Sequence, residues 1–337
     1  MQSILRPSSV VNASDLIINI KNQSINGSVK FDNHGTEFMG PFRTTYNISG
    51  DFPIDNNGTR INLLYSNSLV TPGHAIKELE VESKNNSWSL SITHPIIRQR
   101  VQSLKFEAGL NYKNLYTDLL QKAFTKDRIR SFFTDLAYDY ADNLGGTNLV
   151  SFRIDKGLNS DGATQKGSRL STKPEASPSY TKFSGRLVRD QSLSGWCDGC
   201  DNFSLFLSSN WQFSDEPLFS SEEFSVGGRV FGKGYDLGEI TGDKGIAANI
   251  ELHYKDKYSL FNYDVYSFLD FGTIRNIDDS EKGTDNEKKT IRSLGVGLNS
   301  NYKDWNFALA VAKPLANKPA TQSDKDPRVF AQISYQF

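Results

Sequence analysis

Residues 224–245 read FSVGGRVFGKGYDLGEITGDKG, and residues 268–272 read FLDFG. The first stretch is a long glycine-rich loop that carries Lys233 near its centre. The second is a Phe-x-Asp-x-Gly pattern in a segment where apolar and polar residues alternate, so it predicts a β-strand with Asp270 on the polar face. A strand with one inward carboxylate, preceded by a loop with a cation, predicts a loop pinned inside a β-barrel.

The composition of the 337-residue chain is compatible with a membrane-embedded barrel. Hydrophobic residues make up 37% and charged residues 23% of the chain, and it contains no apolar run of about 18 residues, which excludes a transmembrane helix. Only every second residue of a barrel strand faces lipid, so a barrel has the composition of a soluble protein. The net charge of −1 gives no indication of a nucleic-acid partner.

Alternating segments fill most of the chain, and helical periodicity is nearly absent. About 14 strands are predicted, and the segment 75–95 reads either as one long strand or as a hairpin that turns at Asn85-Asn86. The count therefore stays open between 14 and 16. The predicted segments are 24–33, 40–52, 59–69, 101–114, 128–141, 146–157, 180–192, 246–256, 262–273 and 290–300, with others around Trp88, 203–213, 305–311 and 329–337.

The length of these segments favours a transmembrane antiparallel β-barrel over a soluble β-sandwich, which fits the local pattern equally well. Strands of ten or more residues exceed the usual 5–6 of globular sheets and match the roughly 9–11 that cross a bilayer. Aromatic residues gather near strand ends, as interface girdles do. Short connections are predicted at 55–58, 142–146 and 301–304, and long ones at 115–127, 158–179, 214–245, 274–289 and 315–327.

Several motifs occur in the order found in one bacterial superfamily. The FSVGG lead-in, the GDKG that follows the loop and the Phe-x-Asp-x-Gly strand resemble the outer-membrane superfamily that includes BamA and the ShlB/FhaC-type transporters of two-partner secretion. The second group is the closer match, because residues 217–245 look like its lumenal loop and residues 28–52 look like its first hairpin. The resemblance spans residues 15–337.

This resemblance implies an all-β fold, a transmembrane antiparallel barrel of 16 strands with a glycine-rich loop folded into the lumen. Residues 15–22, DLIINIKN, resemble the final strand of a periplasmic POTRA domain. Residues 1–22 are therefore expected to be the end of a POTRA-like domain or a linker, and residues 23–337 the barrel. No signal peptide is visible at the start, so a preceding N-terminal part of the parent protein is expected.

The resemblance also assigns roles within the loop. The family usually has Arg-Gly-Tyr or Arg-Gly-Phe at the loop tip, where a cation contacts the strand carboxylate; here Lys233 stands at the Arg position and the carboxylate is Asp270. Lys is a point charge and lacks the bidentate fork of Arg. An ordinary exposed loop with a solvated Lys233 is the alternative. The expected site residues are Lys233, Gly234, Tyr235 and Asp236 at the tip, Gly227 and Gly228 in the lead-in, and Phe268, Asp270 and Gly272 on the strand.

Three other features bear on function. Cys197 and Cys200 are expected to form a local disulfide in a turn, with a redox or metal role as the alternative. Phe337, the last residue of the chain, matches a terminal strand that the outer-membrane assembly machinery reads, or else it is a core aromatic. Histidines are scattered and no catalytic constellation is visible, so neither a metal, a cofactor nor an enzymatic activity is expected.

The function implied by the resemblance is a pore in the Gram-negative outer membrane that exports a large unfolded exoprotein of the haemolysin or adhesin class. The expected partners are this exoprotein, outer-membrane lipid and the barrel-assembly machinery. A BamA-like factor that inserts other outer-membrane proteins is the alternative. An outer-membrane lipase or protease and a soluble lectin are less compatible with the motifs.

Overall fold

The computed structural model describes residues 2–7, 14–19, 25–32, 43–70, 78–258, 261–277, 288–302 and 305–335. These residues are mostly extended. The strands are β1 (Gln2–Pro7), β2 (Ser14–Asn19), β3 (Ile25–Asp32), β4 (Arg43–Pro53), β5 (Arg60–Val70), β6 (Glu82–Arg98), β7 (Gln102–Leu119), β8 (Lys122–Ala141), β9 (Gly146–Gly157), β10 (Thr181–Ser192), β11 (Phe203–Ser214), β12 (Phe224–Val226), β13 (Ile240–Gly242), β14 (Lys244–Tyr258), β15 (Phe261–Arg275), β16 (Lys288–Tyr302), β17 (Trp305–Pro314) and β18 (Arg328–Tyr335).

Fourteen of these strands form one antiparallel sheet that runs from β3 to β18 in chain order, with β11 next to β14. Each strand pairs with its neighbours in sequence, which gives an up-and-down meander. The short strands β12 and β13 pair with each other, and so do β1 and β2. The count of 16 strands and the domain boundary at residue 22 stay predictions.

Alternation along each strand separates an apolar outer face from a polar inner face. On β15, Val265 and Leu269 are about half exposed, whereas Phe268 and Asp270 are 4% and 0% exposed. The same period places Val296 of β16 outside. Exposed apolar side chains occur on every strand of the fourteen-stranded sheet. They would be unfavourable in water, but they match a surface in contact with lipid.

Connections at one end of the sheet are mostly short, and those at the other end are mostly long, with the two-residue turn at Leu120–Gln121 and the connection 193–202 as exceptions. The short-turn rim carries the connections 54–59, 99–101 and 142–145, and the long-loop rim carries 158–180, 215–243 and 315–327. Short periplasmic turns and longer extracellular loops are the pattern of outer-membrane barrels. The connections at 276–287 and 303–304 fall largely outside the described residues.

Two expectations about strand ends are resolved by the register. The predicted long connection at 115–127 is wrong, because β7 continues to Leu119, β8 begins at Lys122, and Leu120 and Gln121 form a tight turn with positive φ. The hairpin alternative at Asn85-Asn86 is also wrong, because β6 runs straight through these residues. Both misreadings have one cause, since polar residues are tolerated in strands that extend past the apolar band.

Buried apolar residues form two clusters on the inner face, and loops contribute to both. A meander of this size leaves a space that inner side chains of the strands alone do not fill, so loop residues complete the packing. One cluster comprises Val226, Phe231, Tyr235, Ile240, Ala247, Ile274 and Ile291, and the other comprises Ile129, Ala176, Tyr180, Leu218 and Phe219.

The two faces should respond differently to a charge. Val296→Lys places an ammonium on the outer face near the middle of β16 and is expected to destabilise the folded protein by roughly 2–4 kcal/mol. Asn299→Lys places the same group on the inner face of the same strand, opposite Asp264, and should be nearly neutral. Urea titration in lipid vesicles measures both. Equal effects of the two variants would contradict the assignment of faces.

Candidate functional site

The connection 215–243 folds back onto the inner face of β14–β16. Its two arms meet where β12 pairs with β13, from Phe224 opposite Gly242 to Val226 opposite Ile240. The buried loop residues of the first apolar cluster pack on Ala247, Ile274 and Ile291 of the strands. The side chain of Lys233 is only 12% exposed, unlike the solvated lysine of an ordinary surface loop.

The loop tip is bound to Asp270, which is fully buried on the inner face of β15. The backbone N–H of Lys233 donates to Asp270 Oδ2 at 2.7 Å, and Lys233 Nζ lies 3.3 Å from Oδ1. Asn249 Nδ2 donates to Oδ1 at 2.7 Å and Ser293 Oγ to Oδ2 at 3.0 Å. The carboxylate thus receives four hydrogen bonds from the loop, β14 and β16, which offsets the cost of burying its charge.

Glu251 is a second carboxylate of this site that the sequence analysis missed. Its Oε1 lies 2.8 Å from Lys233 Nζ, and its Oε2 lies 2.9 Å from His253 Nε2. The other ring nitrogen of His253 lies 2.8 Å from Asp264. Glu251 shares the inner face of β14 with Asn249 and His253, so parity places it on the inner face, and the register of β14 with β15 brings it to Lys233.

Tyr235 and Asp236 connect the loop tip to the last long connection. The buried Tyr235 hydroxyl accepts a hydrogen bond from the backbone of Ala316 at 3.2 Å. Asp236 accepts a hydrogen bond from Thr321 and forms an ion pair of 2.8 Å with Arg328 of β18. The tip therefore links β14–β16 to the C-terminal strand.

Two glycines allow close packing, one within the loop and one between the loop and the wall. Gly227 has φ +120°, and a Cβ there would lie 2.2 Å from the carbonyl oxygen of Asp236. Gly272 sits beside Asp270 on β15, and a Cβ there would lie 2.3 Å from Val226 Cγ1. Gly228 and Gly234 lie in the same close-packed region of the loop. A larger residue at Gly272 would push the loop away from β15, whereas one at Gly227 would force apart the two arms of the loop itself.

The base of the loop is held by Asp243, within the GDKG motif. Both carboxylate oxygens lie 2.8 Å from Lys173 Nζ of the 158–180 connection. The backbone N–H groups of Leu218 and Ile277 donate to the same carboxylate at 2.7 and 2.8 Å. Asp243 thus joins three connections of the long-loop rim. No periodicity or motif indicates a role for Lys173, which lies in an irregular segment.

The first arm of the loop has its own anchor, Glu222, in a 3-10 turn at Ser220–Glu222. Its oxygens lie 2.7 Å from Lys113 Nζ of β7 and 2.6 Å from Lys182 Nζ of β10. Burial raises the pKa of Glu222, but the two ammonium groups outweigh it and lower the pKa to about 2. This anchor spans the inner wall from β7 to β10.

The remaining expected features lie away from the loop. Cys197 and Cys200 are joined as a disulfide in the connection 193–202, at the short-turn rim. Phe337 lies outside the described residues. Within the described ranges, no group of three or more His, Cys, Asp and Glu side chains has an arrangement that could hold a metal ion. None of the helical segments in the described part of the chain has the length and apolar character of a membrane span.

Several solved structures share this fold. CdiB from Escherichia coli superposes with a TM-score of 0.73 at 16% identity, over 98% of this chain and 66% of that chain. CdiB from Acinetobacter baumannii superposes with a TM-score of 0.65 at 15% identity, over 98% of this chain and 64% of that chain. BamA from Haemophilus ducreyi lacking POTRA domains 1–3 superposes with a TM-score of 0.57 at 13% identity, over 99% of this chain and 75% of that chain. The chain thus spans about two thirds of the length of the CdiB chains.

A search among curated proteins finds no match to this sequence. The model of one protein family does match, over residues 44–300, which is more than half of the chain. This family is described as haemolysin secretion/activation protein ShlB/FhaC/HecB. The meander, the inward loop and this match agree, and the chain belongs to the ShlB/FhaC/HecB family of β-barrel proteins of the Gram-negative outer membrane.

Proposed function

We propose that this chain is the translocation barrel of a two-partner secretion transporter, which exports a large unfolded exoprotein of the haemolysin or adhesin class. The observation that carries the proposal is the bonding of the loop tip to the buried Asp270. A polar inner face suits an extended polypeptide, whose backbone needs hydrogen-bonding partners at every residue. A loop bonded across that face blocks passage until it moves.

The arrangement of anchors supports a loop with two positions. The tip of the loop is bonded to β15 through Lys233. The rest of the loop is bonded to other elements through its own residues Asp243 and Glu222. Breaking the tip contacts therefore need not release the base. A segment with separate anchors can switch between discrete states, and cargo that competes for the inner face shifts the balance.

The same proposal covers the partners and the energy source. The exoprotein is the cargo, and its folding outside the cell supplies the driving force without nucleotide or other cofactor. The barrel-assembly machinery inserts the chain into the outer membrane. The chain carries out no covalent chemistry, so it is a pore and not an enzyme.

A factor that inserts other outer-membrane proteins is the second candidate, favoured by the shared fold with BamA. The two functions differ in how many proteins depend on the chain. Depletion of a transporter removes one exoprotein from the medium, whereas depletion of an insertion factor lowers many barrels at once. Quantitative proteomics of the outer membrane and the medium after depletion separates them.

Removing the tip contact should impair transport. Asp270→Ala and Lys233→Ala each remove charged hydrogen bonds that stabilise the closed position of the loop by about 2 kcal/mol. The ratio of molecules with an open loop to those with a closed loop then rises roughly thirtyfold. We expect exoprotein in the medium to fall, because the resting state that cargo engages is lost, and conductance in planar bilayers to rise. Immunoblots of the medium and single-channel recordings measure the two effects.

An inner-face ion pair outside the loop provides the matched control. Lys255 of β14 and Asp190 of β10 lie 3.8 Å apart and are both about half exposed. Like the tip variants, Lys255→Ala removes one positive charge from the lumen and Asp190→Ala removes one negative charge. Neither residue contacts the loop through this ion pair, so both variants should leave secretion and conductance unchanged. Heat-modifiable migration in gels reports assembly of every variant. Normal secretion by both tip variants would overturn the role of the loop tip.

The Glu222 anchor should weaken in acid. Its folded pKa of about 2 lies below the reference value of 4.5, so its contribution is complete above pH 4.5 and is lost as the pH falls towards 2. The contribution is at most about 3 kcal/mol. A spin label at Ser221→Cys should become mobile in this pH window. Glu222→Gln should give a mobile label at every pH; an unchanged acid transition in that variant would contradict the assignment.

A further inference from the structure

The outer wall formed by β5–β8 is layered by depth near the long-loop rim. Antiparallel register places side chains of the four strands in rows across the wall. The lowest of these rows is purely apolar and about half exposed, as expected of a surface that faces acyl chains. It consists of Phe132, Leu110, Leu90 and Leu63.

The next row towards the rim is aromatic and contains one cation. It consists of Arg130, Tyr112, Trp88 and Tyr65. The guanidinium of Arg130 lies 3.2 Å from the centre of the Tyr112 ring, and the rings of Tyr65 and Trp88 are 4.3 Å apart. Tyr and Trp gather where the hydrocarbon meets the headgroups, so this row marks the membrane interface.

Two further cations stand above this row on the same strand. Arg128 and Lys126 follow Arg130 at steps of two residues on the outer face of β8, and Lys126 lies over the Tyr116 ring at 5.5 Å. Within the described part of the chain, neither forms an ion pair with a carboxylate. The neighbouring Glu82 is already paired with Lys84 at 2.7 Å. The positive charge at headgroup depth is therefore free to attract an anion.

A groove of about 270 Å³ opens between these rows. Leu63, Leu90 and Leu110 line its apolar part, and Arg130 lies at its polar end beside the 158–161 segment. Arg130 is 4% exposed, and its Nε is buried without a hydrogen-bond partner. Arg130 and Asp161 line the polar end of the groove, and Arg128 and Lys126 stand above it on β8. An apolar groove with an excess of cations at its upper end has the polarity of an anionic lipid, with the chain below and the phosphate above.

We infer that this groove binds a lipid with a phosphorylated headgroup from the outer leaflet. The phosphate lies between Arg128 and Lys126, and one acyl chain lies along the row of Leu63, Leu90 and Leu110. Basic residues at a membrane surface attract anionic lipids, and an ammonium or guanidinium over an aromatic ring keeps its charge near the interface. The inference rests on the outer-membrane location and not on export.

The test compares the binding of two lipids by the purified full chain in detergent. Diphosphoryl lipid A is the probe, and the same glycolipid without phosphates is the comparison lipid. Native mass spectrometry gives the apparent Kd of each. We expect the diphosphoryl lipid to bind at least tenfold more tightly, and Lys126→Gln with Arg128→Gln to weaken it roughly tenfold. Arg130 is left intact, because it also bonds to backbone carbonyls.

The matched control removes two cations from the inner face. Lys105 and Arg186 are exposed inner-face residues of β7 and β10, and Lys105→Gln with Arg186→Gln should leave the Kd of lipid A unchanged. Equal weakening by both double variants, or no preference for the phosphorylated lipid, would overturn the proposal. So would full competition by inorganic phosphate, which would show an anion site without a lipid requirement.

A second measurement locates the lipid. Acyl chains brominated near the headgroup quench nearby Trp fluorescence, and Trp88 lines the groove. Brominated lipid A should quench the wild-type protein more than the Trp88→Phe variant, and the Lys126→Gln/Arg128→Gln variant should lose the same part of the signal. Quenching that is independent of Trp88 would place the lipid elsewhere and contradict the groove.

Discussion

The structure depends on one buried carboxylate. Asp270 is fully buried on a strand of the barrel wall, and an unpaired charge in that position would cost several kcal/mol. Two of its four hydrogen bonds come from Lys233 and two from the neighbouring strands. The wall therefore needs the loop to satisfy the carboxylate, and the loop needs the wall to hold its tip. In the proposed open state, water replaces the donors that the loop supplies to Asp270.

The anchors divide the loop into parts that can act separately. Asp243 joins the loop base to the connections 158–180 and 276–287, and Glu222 joins the first arm to β7 and β10. Neither shares a partner with Asp270. Energies of contacts without shared partners add independently, so loss of the tip contacts leaves the base in place. In the proposed transport cycle, the tip moves and opens the inner face while the base of the loop stays tethered.

Period-2 alternation located most of the strands and placed Asp270 on the inner face. The pairing of Asp270 with Lys233 was an expectation from the resemblance to the ShlB/FhaC transporters, and the structure places the two residues 2.7–3.3 Å apart. Sequence alone did not locate Glu251, although Glu251 lies on the expected inner face, since only the pairing of β14 with β15 brings it to Lys233. Lys173 and Glu222 lie in irregular segments, where no periodicity indicates direction. The connection at 115–127 was misread because its polar residues continue a hairpin beyond the membrane, where strand and loop have the same composition. Local pattern thus predicts which face a residue occupies, and long-range register decides what it meets there.

Lysine at the loop tip is adequate because the backbone supplies what the side chain lacks. An arginine binds both oxygens of a carboxylate through its planar fork. Here the Lys233 ammonium approaches Asp270 Oδ1 and the backbone N–H of the same residue donates to Oδ2, so one residue still contacts both oxygens. The backbone is presented in this way because Gly232 precedes it with φ +81°, a conformation that costs glycine little. The compact ammonium then remains free to contact Glu251 at 2.8 Å and to lie 4.5 Å from the centre of the Phe268 ring. One cation thereby holds two carboxylates of adjacent strands, which a fork committed to Asp270 alone would not do, and the loop tip is tied to β14 as well as to β15.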